Sequence, residues 1–217
     1  IHSISFVHRY RKEVLETNKL IQSQKIGKIK FITEMMISQK NPKLPKWIFN
    51  KKTSGGGVLI YNAVHSIDKL IFFFKSKVVK VYSVYNNIDS RLGVEDTISV
   101  VLTFKNGVVA NLIALFAPYI VSPRWETKIY CEKGCIDLHV RKGLTFKSNL
   151  KEKIYNFSDH YKKFGANYNF FYQAKSYVES LRENKTPFVK VEDGIESVKI
   201  IDAIYKSIKS KKPVDIH

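Results

Sequence analysis

The sequence predicts an α+β fold, a mostly antiparallel open sheet with helices packed on one face. Helical periodicity brackets the chain at both ends, hairpin-like strands fill its middle, and 44% hydrophobic residues over 217 positions suffice for a real core. No repeat, low-complexity tract or internal linker interrupts it, so residues 1–217 read as one domain.

Val14, Leu15, Leu20 and Ile21 fall at helical spacing, Gly27 closes that segment, and Ile29, Phe31, Thr33 and Met35 then alternate as a strand does. Residues 39 to 57 contain Pro42, Pro45 and three glycines without periodicity, which predicts a long loop of the kind that often carries function. A helix is expected from about Val58 to Phe74. Between Val78 and Lys147 the segments VVKVYSVY, DTISVVLTF, GVVANLIALF, ETKIYCE, CIDLHV and LTFK read as strands, parted by turn signals at Lys105-Asn106-Gly107 and Lys133-Gly134. Helices return over NYNFFYQAKSYVESLRE and GIESVKIIDAIYKSIKS, the second with Asp193 as its expected cap.

Composition narrows the function classes. Lys and Arg number 37 against 19 Asp and Glu, a net charge of +18 that would suit a polyanion partner. The lysines, however, are spread from Lys12 to Lys212 with no arginine-rich arm, so the charge reads as a solvated surface and nucleic acid is not the expected partner. Cys131 and Cys135 flank Glu-Lys-Gly in an apparent hairpin turn and read as structural, and two cysteines are too few for a disulfide scaffold. A reducing, cytoplasmic compartment and no zinc site are expected. Asn62, His65, Asp68 and Lys69 break the longest apolar run, so no membrane span is expected. The chain opens on Ile1 with no cationic region leading into an apolar one, which suggests a removed signal or a longer parent protein.

The chemistry concentrates in residues 54–68, SGGGVLIYNAVHSID. The glycines lack both the lysine of a phosphate loop and the spacing of a dinucleotide fingerprint. Glycines at a loop-to-helix junction let a ligand approach the amides at the helix's positive end; the plainer alternative is a tight junction. Tyr61, His65 and Asp68 are spaced to put a phenol, an imidazole and a carboxylate on one helical stripe. Imidazole titrates near neutrality and can take a proton from an alcohol, although a satisfied core histidine is the bland alternative.

This stretch resembles the C-terminal domain of the glucose-fructose oxidoreductase and inositol dehydrogenase family (Gfo/Idh/MocA), whose pattern runs Ser-Gly-Gly-Gly, three residues, Asp, then His and Asp three apart. FVHRY resembles the family's strand ending in Arg and an aromatic. IGKIKFI, PKWIF, VEDTISVVLTFKNGVVANL, CEKGCIDL and VKVEDGIESVKIIDAIYKSIKSKKPVDI resemble, in the family's order, its following segments. The resemblance implies a dihydrodipicolinate-reductase-like domain, the substrate-binding and oligomerisation half of an NAD(P)-dependent oxidoreductase acting on a sugar, cyclitol or nucleotide sugar. The Rossmann domain that would bind NAD or NADP, and its Glu-Lys-Pro lysine, are absent from residues 1–217. By position His65 is the family's proton-transfer histidine, with Tyr61 beside it. Arg9, Trp47, Lys51, Asn62 and Asp68 would line the substrate, and Gly55, Gly56 and Gly57 would approach the cofactor. Tyr61 stands where the family often has Asp, and Ala63 where it often has Gly, which leaves a non-catalytic binding or assembly module as the alternative reading. The alternating VVLTF and NLIALF predict an apolar sheet face that a homodimer or tetramer would cover.

Overall fold

Alternation at Ile29, Phe31, Thr33 and Met35 produces β1 (Ile29–Gln39), which lies inside a nine-stranded sheet. The computed structural model describes residues 1–41, 43–89, 91–148 and 152–217; Pro42 of the expected loop lies outside them. The other strands are β2 (Val78–Asn86), β3 (Thr97–Phe104), β4 (Val109–Ala117), β5 (Arg124–Cys131), β6 (Gly134–His139), β7 (Gly143–Ser148), β8 (Glu152–Asn156) and β9 (Val214–Asp215). Their order is β8-β7-β6-β5-β1-β4-β3-β2-β9. β1 runs parallel to β4, with Met35 opposite Ile113, while the other described ladders are antiparallel.

The helices are α1 (Lys12–Gln22), α2 (Lys51–Ser54), α3 (Val64–Phe74), α4 (Ser158–Phe164), α5 (Tyr168–Arg182) and α6 (Val191–Ser210). Period-two alternation sends Ile98, Val100 and Leu102 of β3, Ala110, Leu112 and Ala114 of β4 and Ile32 and Met36 of β1 into one core, where they meet Ile67, Leu70 and Phe73 of α3 and Ile200 and Ile204 of α6. Each fully buried Leu, Ile or Phe side chain there contributes about 1.5–3 kcal/mol of transfer free energy. Ser83 of β2 donates to the Ile204 carbonyl and its amide donates to Ser207 Oγ, so the polar positions facing α6 are also paired. On the other sheet face Val84, Val101 and Ile113 are exposed.

Four expectations are revised. FVHRY is a 3-10 turn over Val7–Tyr10 rather than a strand. In a strand, adjacent side chains point to opposite faces, whereas the turn brings both His8 and Arg9 against α3. The expected helix from Val58 opens with a π turn, Leu59–Ala63, and becomes α-helical only at Val64. The final helix begins at Val191, so Asp193 sits inside its first turn, where it accepts the Lys190 amide at 2.8 Å. The loop over 39–57 holds two short helical pieces, Lys46–Phe49 and α2.

Lys51–Phe74 is long and apolar enough to cross a membrane by length and composition alone. Within the fold, α3 buries Ile67, Leu70 and Phe73 and carries the paired charges Asp68 and Lys69. Cys131 and Cys135 are free and flank the β5–β6 turn. Burial, with Cys135 and Glu132 nearby, pushes the Cys131 thiol up to about 11, so it is an inert thiol at neutral pH.

Candidate active site around His65

The three glycines each have a different internal reason. Gly55 ends α2 in the left-handed region at φ +80°, a conformation that favours glycine. A Cβ on Gly56 would collide with the Tyr205 hydroxyl, and one on Gly57 would collide with the Glu95 backbone. That closeness lets Glu95 complete the helix start. Its Oε1 accepts the amides of Gly57 (2.9 Å) and Leu59 (3.2 Å) and the Tyr205 hydroxyl (2.9 Å), and its carbonyl accepts the Val58 amide (2.9 Å). The negative charge that a helix N-terminus favours is thus supplied by the chain itself.

His65 lies two residues past the end of the π turn, an irregularity frequent at functional sites. Its ring is stacked on His8, with centroids 5.0 Å apart and planes 16° apart, and Phe6 meets it edge-on at 6.2 Å. Trp125 of β5 also packs against His8, ring centroids 4.8 Å apart and planes 40° apart. His65 Nδ1 and His8 Nδ1 are buried without a hydrogen-bond partner. Burial first, then the cations Arg11 and Lys69, lowers the His65 pKa from 6.5 to about 4, and burial lowers His8 well below its ordinary value too. His65 is therefore neutral at physiological pH and able to accept a proton. An NMR titration should find it uncharged at pH 5 and titrating near 4. Because the folded value lies below the unfolded one, its contribution to stability is present above about 6.5 and is lost as pH falls through 4.

Beneath this ring lies a closed ionic network. Lys69 Nζ pairs with Glu34 Oε1 at 2.9 Å, Ser66 Oγ donates to the same oxygen at 2.7 Å, and Thr127 Oγ1 donates to Oε2 at 2.6 Å. One turn on, Asp68 is fully buried and receives Arg9 Nη2 (2.6 Å) and Nε (3.0 Å), while Arg9 Nη1 reaches Asp193 of α6 at 3.0 Å. Burial pushes the Asp68 carboxyl up to about 7 against the pull of Arg9.

The structure thus brings His65, Asp68 and Arg9 around one turn, with Arg9 and Asp68 bonded to each other. Tyr61 is 38% exposed and leans on Phe116 of β4, ring centroids 5.5 Å apart. Asn62 is partly buried in the π turn, where its carbonyl accepts the Val64 amide. Trp47 is 55% exposed, its carbonyl accepting Thr53 Oγ1, and Lys51 is exposed on α2. Sequence reasoning missed His8, Trp125 and Glu95. His8 precedes Arg9 directly, and an aromatic-rich FVHRY was the available signal; Glu95 and Trp125 reach the site only through strand pairing. Among the described residues, no group of three or more His, Cys, Asp or Glu is placed to hold a metal ion.

Comparison with known proteins agrees with this architecture. Over its full length the chain superposes on levoglucosan dehydrogenase in complex with NADH and levoglucosan with a TM-score of 0.87 at 20% identity, covering 66% of that chain. An oxidoreductase from Agrobacterium radiobacter in complex with NAD+, L-tartaric acid and magnesium gives 0.84 at 13% identity, covering 98% of this chain and 64% of that one. In sequence, the chain is 20% identical over 225 aligned residues to myo-inositol 2-dehydrogenase of Thermotoga maritima, which spans 97% of this chain and 63% of the relative. The chain therefore spans under two thirds of the length of that relative. The family model for the GFO/IDH/MocA C-terminal domain matches residues 14–137. The chain belongs to the GFO/IDH/MocA family, and its match is to that family's C-terminal domain.

Proposed function

We propose that this chain is the substrate-binding and oligomerisation half of an NAD(P)-dependent oxidoreductase acting on a sugar or cyclitol, with His65 as the residue that accepts the substrate hydroxyl proton. The observation that carries the reading is a neutral, partly buried imidazole with an unpartnered nitrogen at the head of a glycine-led helix. Relatives named for inositol and levoglucosan support a polyhydroxylated substrate. The glycine turn does not fit the phosphates of a dinucleotide, because Glu95 already occupies the amides of Gly57, Val58 and Leu59. NAD or NADP would be held by a domain outside these residues, and its nicotinamide would take the hydride when bound.

The test is His65→Gln in the intact enzyme, assayed against inositols and anhydrosugars. Turnover should fall by on the order of a hundredfold; unchanged turnover would remove His65 from the reaction. Tyr61 favours a second reading, a non-catalytic binding module, because it packs on Phe116 and supplies no carboxylate four residues before His65. Sequencing the coding region ahead of Ile1 separates the two readings, since only the first needs a dinucleotide-binding domain there. Assembly would use the sheet face bearing Val84, Val101 and Ile113, whose exposed apolar side chains a second copy would cover. Ile113→Lys should shift the chain to monomer in sedimentation velocity, and an unchanged sedimentation coefficient would exclude that face.

A further inference from the structure

The 3-10 turn over Val7–Tyr10 grips α3 at two successive points. Arg9 forms the fork on Asp68, and the residue before it lays its ring on His65. A bidentate guanidinium–carboxylate pair fixes direction as well as distance, so the turn that carries His8 is held in register against the helix. Arg9 is also tied to α6 through Asp193, which prevents the turn from sliding along α3.

We propose that His8 is a positioning residue for His65, its ring lying flat against the imidazole so that the turn, rather than the ligand, sets the direction in which His65 meets a substrate hydroxyl. Four side chains carry this. His8 is itself buried, Trp125 packs against its ring at 4.8 Å, Phe6 stands nearly perpendicular to His65, and Arg9 anchors the turn on α3. Neither Nδ1 is bonded to protein, and the rings, 16° from parallel, meet through their faces. The charged groups acting on the pair are Arg11, Lys69 and Arg141, all cationic. Lys69 is held by Glu34, and Glu13 accepts the Arg141 amide and the Tyr161 hydroxyl. A ring that tilted out of the stack would exchange this dry, cationic setting for water, and its protonation would change with its orientation.

The inference rests on the proton-acceptor reading of His65, but its test does not. In the chain labelled at histidine, His8→Leu fills space without offering a flat face, and His8→Phe keeps the face while removing the nitrogens. His8→Leu should give His65 more than one side-chain rotamer by ring NOEs and raise its titration midpoint by on the order of one pH unit. His8→Phe should leave rotamer and midpoint near those of the parent. Overturning results are a folded His8→Leu chain with His65 unmoved in both readouts, or, should His8→Leu not fold, a His8→Phe chain in which the ring is displaced. If His8→Leu frees the ring while His65→Gln leaves turnover of the intact enzyme unchanged, positioning stands and the proton-acceptor reading falls.

Discussion

Gly57→Ala should cost on the order of 3 kcal/mol or prevent folding altogether, an unusually large effect for one added methyl group. The methyl would be driven into the Glu95 backbone, which is itself held by the Val58 amide, and a backbone segment between two strands has no rotamer by which to yield. Moving it away would also withdraw the Glu95 carboxylate from Gly57, Leu59 and Tyr205, leaving buried donors unmatched. Urea unfolding of the two chains measures the loss; a midpoint within a few tenths of a molar of the parent would show that the junction relaxes. Gly55→Asn is the internal control, because asparagine tolerates the left-handed region and the modest cost should appear without loss of fold.

The second large effect is expected at Arg9. Arg9→Met removes the guanidinium and leaves Asp68 buried without its partner, a change that typically costs about 3–5 kcal/mol. It also releases Asp193 from one of its bonds and frees the turn that carries His8. The sign of the pH dependence follows from burial. With Arg9 in place burial already holds the Asp68 carboxyl up at about 7, above its unfolded value, and removing Arg9 takes away the main opposing pull and moves it further up. The variant should be most stable below about pH 4 as far as this group is concerned, and should lose stability as pH rises through neutrality. Asp68→Asn introduced into Arg9→Met should recover much of the deficit and flatten that dependence. Equal stability of the parent and Arg9→Met chains at pH 8 would show that the pair contributes nothing there.

The helix-sheet-helix order was legible because it rests on local periodicity. Strands such as TISVVLTF alternate cleanly because one face is core and the other is not, and the pattern fixes the face each residue takes. The parts of the site that depend on distant pairing were not legible. The stripe of Tyr61, His65 and Asp68 assumed a regular helix, and the π turn over Leu59–Ala63 alters the phase, so Tyr61 leans on β4 while His65 and Asp68 face the N-terminal turn. Arg9 and Asp68 were each picked out, yet their bond to each other, across 59 positions, has no local signature. Glu95 was visible only as the acid before a strand. β8 and α4 follow a weakly patterned stretch with many lysines and were not anticipated.

The parallel pairing of β1 with β4 also has a consequence for how the chain assembles. A strand that pairs in parallel with a later one must wait for everything between them, and here that interval contains the glycine turn, α3, β2 and β3. β5, on the other side of β1, is made later still, and Arg9 finds Asp193 only across 184 positions. Such sequence-distant closure slows folding towards the millisecond-to-second range, because loop entropy is lost before contacts compensate for it. Phe6, His8 and Arg9 precede every strand of the sheet, yet Arg9 gains its Asp193 partner only when α6 docks. A nascent or shortened chain lacking α6 would therefore carry the imidazole beside a turn that lacks this second anchor.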